Sequence, residues 1–214
     1  MSEQKRYSVN RNATPFIYFD LGNVLLFFDH QLACQNLAIL CDRPAEQIWN
    51  IIFDSELQAA YEDGQISTKE FHRRFCDQLD VDIEVEKVCF AASAIFTLNE
   101  EIIPVVHNLK SAGHRLGILS NTCDAHWQYA MEGRYPILNE AFGLYALSFE
   151  LKCSKPQTVI YEKAAELAGR PPQEIFFVDD RADNVRGALD SGFDAVQFTS
   201  VSQFKSELES RRLL

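Results

Sequence analysis

Short apolar runs alternate along the chain with longer segments of mixed polarity. Residues 16–19, Phe-Ile-Tyr-Phe, lie between Pro15 and Asp20. A run of four apolar positions bounded this way reads as a strand covered on both faces. Leu116–Leu119, Ile175–Val178 and Ala195–Phe198 repeat the pattern, and Leu144–Leu147 is a fainter copy. The segments between these runs carry helical punctuation. Residues 100–112 follow Asn99, a good N-cap, and stop at Gly113, which suits the left-handed position after a helix. Residues 157–168 start after Pro156 and stop at Gly169, and residues 183–191 stop at Gly192. Strands alternating with helices predict an α/β fold, a Rossmann-like parallel sheet with helices on both faces.

The stretch 30–96 breaks the alternation. It has no convincing strand and carries several helical patterns. Within it, Ser67-Thr68-Lys69-Glu70 is a capping-box signature ahead of the apolar positions Phe71, Phe75 and Leu79. The expected organisation is a disordered tail over 1–14, an α/β core formed by 15–29 and 97–214, and a helical-bundle insert over 30–96.

Of the 214 residues, 47% are hydrophobic and 24% charged, which excludes a disordered or low-complexity chain. The formal charge of −11 argues against nucleic acid and anionic membranes as partners. No apolar run approaches the roughly 18 residues of a membrane helix, and the polar N-terminus lacks a secretory signal's apolar region. The expected location is the cytoplasm, as a monomer or dimer. The six cysteines form no C-x-x-C pair and read as reduced thiols. Cys123 and His126 are one helical turn apart, a spacing that chance alone often produces.

In an open parallel sheet, ligands bind beyond the carboxyl ends of the strands. Asp20-Leu21-Gly22-Asn23 follows the first strand, Ser120-Asn121-Thr122 the second, and Asp179-Asp180, Asp183 and Asn184 the one at 175–178. Ser154-Lys155-Pro156 precedes a helix. Singly, these residues cap turns and helices or sit at the surface. As an ordered set at strand ends they suit phosphoryl transfer. Asp20 can attack phosphorus to give an aspartyl-phosphate. Asp20 and Asp180 can hold Mg²⁺, which takes carboxylate, carbonyl and water oxygens. Ser120, the Asn121 backbone and Lys155 can donate to phosphate oxygens. A bound cation would also offset the repulsion between an acidic protein and an anionic substrate.

The strand FIYFD with LGNVL, the strand LGILSN, the Lys155-Pro156 pair and IFFVDDRADN together resemble the haloacid dehalogenase (HAD) superfamily, over residues 16–198. The helical insert resembles the small helical cap of subfamily IA. FDLGNVLLFFD and YEDGQIS look like the sugar-phosphate phosphatase branch that includes α-D-glucose-1-phosphate phosphatases. The resemblance implies a HAD-like core and an Mg²⁺-dependent phosphatase acting on a small-molecule phosphate ester. It implies Asp20 as nucleophile, Lys155 as its partner, Ser120 and Asn121 as phosphate-binding residues, and Asp20, Asp180 and the Gly22 carbonyl as metal ligands. Asp179 and Asn184 would orient that set.

Gly22 departs from the family pattern, in which a second Asp usually serves as general acid and base. That help is worth about 10²–10⁴-fold. Asp29 and His30 are nearby, but read more simply as polar hinge residues. Hinges are expected near Phe28–His30 and Phe96–Glu100, with a mobile cap closing over the site. Glu56, Tyr61, Glu62 and Gln65 are cap candidates for sugar hydroxyls. Two other readings remain open: a C–halogen or C–P bond hydrolase on the same scaffold, and a catalytically weak module that binds a phosphate ligand.

Overall fold

A computed structural model describes residues 15–214; the tail expected to be disordered, 1–14, lies outside the described residues. Strands β1 (Phe16–Phe19), β2 (Leu26–Phe28), β3 (Phe96–Leu98), β4 (Leu116–Ser120), β5 (Leu144–Leu147), β6 (Ile175–Asp179) and β7 (Asp194–Gln197) run in chain order. Five of them form one sheet in the order β5-β4-β1-β6-β7. Every neighbouring pair in it is parallel.

The apolar runs are near-continuous because both faces of the sheet are covered. Ile17, Phe19, Ile118, Phe176 and Val178 pack on one side against helices Ile103–Ser111, Asp124–Met131, Pro136–Ala141 and Val201–Ser210. Phe16, Tyr18, Leu119 and Phe177 pack on the other against Thr158–Ala168 and Ala182–Asp190. Alternate residues of β1 therefore serve opposite layers, as the period of two requires. Helix Thr158–Ala168 ends on Gly169 in the left-handed conformation, where the sequence places its stop.

Residues 30–93 form helices between β2 and β3, with their own apolar cluster around Leu37, Ile48, Phe71, Phe75 and Val88. The capping box is half realised: Ser67 accepts from the Glu70 amide, while the Glu70 carboxylate pairs with Arg73 and Arg74.

Three expectations change. Strands β2 and β3, absent from the sequence reading, pair antiparallel with Phe28 opposite Phe96. Runs of three residues are too short to show a strand period. They lie where the two hinges were expected. The segment after Asn99 opens as a 3-10 turn (Glu100–Ile102) before the helix at Ile103. Asn99 does not cap it; its buried amide donates to the Val24 carbonyl at 2.9 Å, tying the two linkers together. The last strand starts and ends one residue earlier than its apolar run. No helix among the described residues is long and apolar enough to cross a membrane.

Candidate active site

The carboxyl ends of β1, β4 and β6 converge on a cavity of about 290 Å³. Asp20, Gly22, Asn23, Ser120, Asn121, Lys155, Asp180 and Asn184 line it. The parallel register delivers this set. Phe19 stands beside Ile118 and Val178, so the residues that leave those strands emerge at one edge.

Lys155 is the centre of the network. Its ammonium lies 2.9 Å from Asp20 Oδ1 and 2.6 Å from Asp179 Oδ2, and donates to the Leu119 carbonyl at 3.0 Å. Its side chain is 1% exposed and that of Asp179 0%, so neither charge could stand without the other. Asn121 fixes the lysine's backbone from both sides: Nδ2 donates to the Lys155 carbonyl at 2.9 Å, and Oδ1 accepts from its N–H at 2.8 Å. Asp179 is saturated. Besides Lys155 it accepts from the Arg181 amide at 2.8 Å and from Asn184 Nδ2 at 3.1 Å on each oxygen. Burial pushes the Asp20 carboxyl up to about 7, against the pull of Lys155 and with a further push from Asp179. The two carboxylates hold Lys155 protonated despite its burial.

Asp20, Asp179 and Asp180 each present a carboxylate oxygen within 4.8 Å of the other two. Saturation of Asp179 leaves Asp20 and Asp180 as the carboxylates able to bind a cation. Asp20 Oδ1 accepts from Lys155 and from the Leu21 amide, and Oδ2 accepts no hydrogen bond among the described residues. Asp180 Oδ2 accepts from Asn23 Nδ2 at 3.0 Å, and Oδ1 accepts none among the described residues. The Gly22 carbonyl is free in the same sense, because the turn closes through Asn23 N to Leu26 O and Leu26 N to Leu21 O. Two carboxylate oxygens and one carbonyl form an all-oxygen donor set, the kind a hard divalent cation takes.

Asn23, noted in the sequence only as the residue after Gly22, has a role in the structure. It holds a left-handed backbone, φ 54°, which Asn tolerates better than most residues, and this brings its amide to Asp180. The signal was legible in the Gly-Asn pair itself. Gly22 is needed for space: a Cβ there would lie 2.8 Å from Phe28 Cε1. Phe28, His30, Ile95, Phe96 and His126 form much of the remaining lining; the sequence marks Phe28, His30 and Phe96 only as hinge positions and His126 only by its spacing from Cys123. The His30 ring lies 4.8 Å from both the Phe28 and the Phe53 ring. Burial lowers both imidazoles, His126 to about 4.

Other candidates fall away. Asp29 caps the helix that follows, accepting from Gln31 N and Leu32 N. Of the four cap residues only Glu62 lines the cavity. Tyr61 is buried, with its hydroxyl bonded to Thr68 and Ala125 N, and Glu56 and Gln65 are exposed elsewhere. Burial raises the Cys123 thiol far above its ordinary range, so it stays protonated and inert.

The same architecture occurs in proteins of known structure. A HAD family enzyme from Bacteroides thetaiotaomicron superposes with a TM-score of 0.79 at 22% identity, over 91% of this chain and 98% of that one. A second structure of that enzyme, in complex with magnesium and inorganic phosphate, superposes with a TM-score of 0.78. L-2-haloacid dehalogenase from Xanthobacter autotrophicus superposes less closely, at 0.62 and 19% identity, over 94% of this chain and 85% of that one. In sequence, the D-ribitol-5-phosphate phosphatase of B. thetaiotaomicron is 25% identical over 90% of this chain and 95% of its own. The (S)-2-haloacid dehalogenase 4A of Burkholderia cepacia is 34% identical, over 43% of this chain and 39% of its own. The haloacid dehalogenase-like hydrolase model matches residues 16–192. The ordered strand-end residues, the sheet that carries them and this match together make the chain a member of the haloacid dehalogenase-like hydrolase family.

Proposed function

We propose that the protein is an Mg²⁺-dependent phosphatase that hydrolyses a small phosphorylated metabolite, a sugar or polyol phosphate, through an aspartyl-phosphate. The observation that carries this reading is the acidic cluster beside a buried lysine. Asp20 and Asp180 keep oxygens free for a cation, while Lys155 stands 2.9 Å from Asp20. Asp20, Asp180 and the Gly22 carbonyl would hold the Mg²⁺, which when bound neutralises the carboxylates and draws the phosphate dianion in. Asp20 attacks phosphorus in line with the departing oxygen. Lys155 and Ser120 donate to the non-bridging oxygens as charge redistributes. Asn121 and Asp179 keep Lys155 in place, and Asn184 keeps Asp179 in place.

The relatives support this reading from outside the chain. One that matches almost end to end is named a phosphatase of a polyol phosphate. The dehalogenase match in sequence covers less than half of the chain. Attack on carbon needs no metal, and the Asp180–Asn23 contact beside the free Asp20 oxygen would then have no use.

Phosphate release from p-nitrophenyl phosphate and a panel of sugar and polyol phosphates, with Mg²⁺ or with EDTA, tests the proposal. Turnover should require Mg²⁺ and fall by about 10³-fold or more in Asp20→Asn. Chloride release from a 2-haloacid without phosphate release would favour the dehalogenase. Tight ester binding without turnover would favour the binding module.

A further inference from the structure

Resting on the phosphatase reading, the site lacks one part. Leaving-group departure needs a proton, and the residue two after Asp20 is a glycine whose side-chain space the Phe28 ring fills. The cap supplies a carboxyl to the cavity lining. Glu62 lines the cavity, and its Oε1 accepts from Gln58 Nε2 at 2.8 Å. Its Oε2 has no partner among the described residues.

The loop that carries Glu62 is fastened to the core residue by residue. The Tyr61 hydroxyl accepts from Ala125 N at 3.0 Å, and Thr68 Oγ1 donates to Asp124 Oδ2 at 2.6 Å. Ser148 Oγ donates to the Glu62 carbonyl at 2.6 Å, and the same hydroxyl accepts from the N–H of Thr122, the residue after Asn121. Ser154 donates to Asp63, and Lys152 to the Gly64 carbonyl. Gly64 has φ +59°, and a Cβ on it would lie 2.0 Å from the Phe149 carbonyl oxygen, so the loop lies directly on core backbone. The motif Tyr-Glu-Asp-Gly is thus a docking segment with one carboxyl left over at the cavity.

We propose that Glu62 is the acid–base residue of this site. As Asp20 attacks, the bond from phosphorus to the ester oxygen breaks. That oxygen takes the proton of the Glu62 carboxyl and leaves as the alcohol. The resulting Glu62 carboxylate then takes a proton from a water whose oxygen attacks the phosphorus. The bond from phosphorus to Asp20 breaks, and phosphate leaves with Asp20 and protonated Glu62 restored. Burial raises the Glu62 carboxyl, which helps it keep a proton, while it lowers the two imidazoles and leaves them without one to give.

The test compares esters with poor and good leaving groups, a polyol phosphate and p-nitrophenyl phosphate, for the unaltered protein, E62Q, E62D and E56Q. Glutamine preserves the shape and the Gln58 contact. In E62Q, kcat/KM for the polyol phosphate should fall about 10²-fold or more, while that for p-nitrophenyl phosphate changes by less than about 5-fold. E62D should recover part of the loss, and E56Q, at an exposed position outside the cavity, should match the unaltered protein. Equal losses on both esters, or no loss on either, overturn the assignment. Should E62Q fail to fold, the E62D comparison between the two esters decides in the same way. If the unaltered protein turns over neither ester, the phosphatase reading fails first, and that outcome is visible before any variant is made.

Discussion

The two walls of the cavity are built on opposite plans. The core wall is over-determined: Lys155 touches Asp20, Asp179 and Leu119, and Asp179 is held again by Arg181 and Asn184. Moving any one of these groups strands another buried charge. The facing wall is aromatic and sparsely bonded, with Phe28, Phe96, His30 and His126 half-buried and Glu62 brought in on a docked loop. On the proposed reading, rigid polar geometry sits where phosphoryl transfer occurs, and the aromatic wall meets the leaving alcohol. In this chain the division goes further. The Phe28 ring fills the side-chain space at Gly22, and the proposed role of Glu62 places on the cap the acid that the core wall lacks.

The largest effect on stability should come from the core wall. Lys155→Met leaves Asp20 and Asp179 buried without a countercharge and should cost about 3–5 kcal/mol. Chemical denaturation measures this, and a loss below about 1 kcal/mol would mean that water enters and solvates the pair. Gly64→Ala should come next, at about 1–3 kcal/mol, because its Cβ meets the Phe149 carbonyl and its backbone is left-handed. Its kcat/KM should fall further than its stability implies, since Glu62 moves with the loop. Activity unchanged under that substitution would separate the docking from the chemistry.

The smallest effect is a pH dependence of the aromatic wall. Burial lowers the His126 imidazole to about 4 in the folded protein, from the ordinary value of about 6.5 that holds in the unfolded chain. Between those values the unfolded chain holds more protons, so stability should fall as pH drops from about 6.5 towards 4. His126→Asn should remove on the order of 1–2 kcal/mol of that acid sensitivity, allowing for the ring's contact with solvent. Melting temperatures of both proteins across this range check it. Parallel curves would show that His126 is not the group responsible.

The core wall was legible in sequence because most of its residues follow strand ends, where chain direction and register bring them together, with Lys155 just before a helix and Asn184 in the first turn of one. Asp20, Ser120, Asn121, Lys155, Asp180 and Asn184 all line the cavity, and Asp179 stands directly behind them. The aromatic wall was not legible for the opposite reason. Its members come from three-residue strands and from helices whose crossing depends on packing, and no local period marks a ring such as Phe96 or His126 as facing a cavity. Glu62 stood among four cap candidates that sequence could not rank, and the docking bonds of its neighbours separate it from them. Asn99 shows the same limit, since a good N-cap residue is used instead to bind Val24 across the linkers.

The central claim is that Asp20 accepts a phosphoryl group with Mg²⁺ beside it. Beryllofluoride mimics that group on a carboxylate, so ¹⁹F NMR of the protein with beryllofluoride tests the claim without knowledge of the substrate. Protein-bound fluorine resonances should appear with Mg²⁺, vanish with EDTA, and be absent in Asp20→Asn. Bound resonances that survive in Asp20→Asn, or none in the unaltered protein with Mg²⁺, would contradict it.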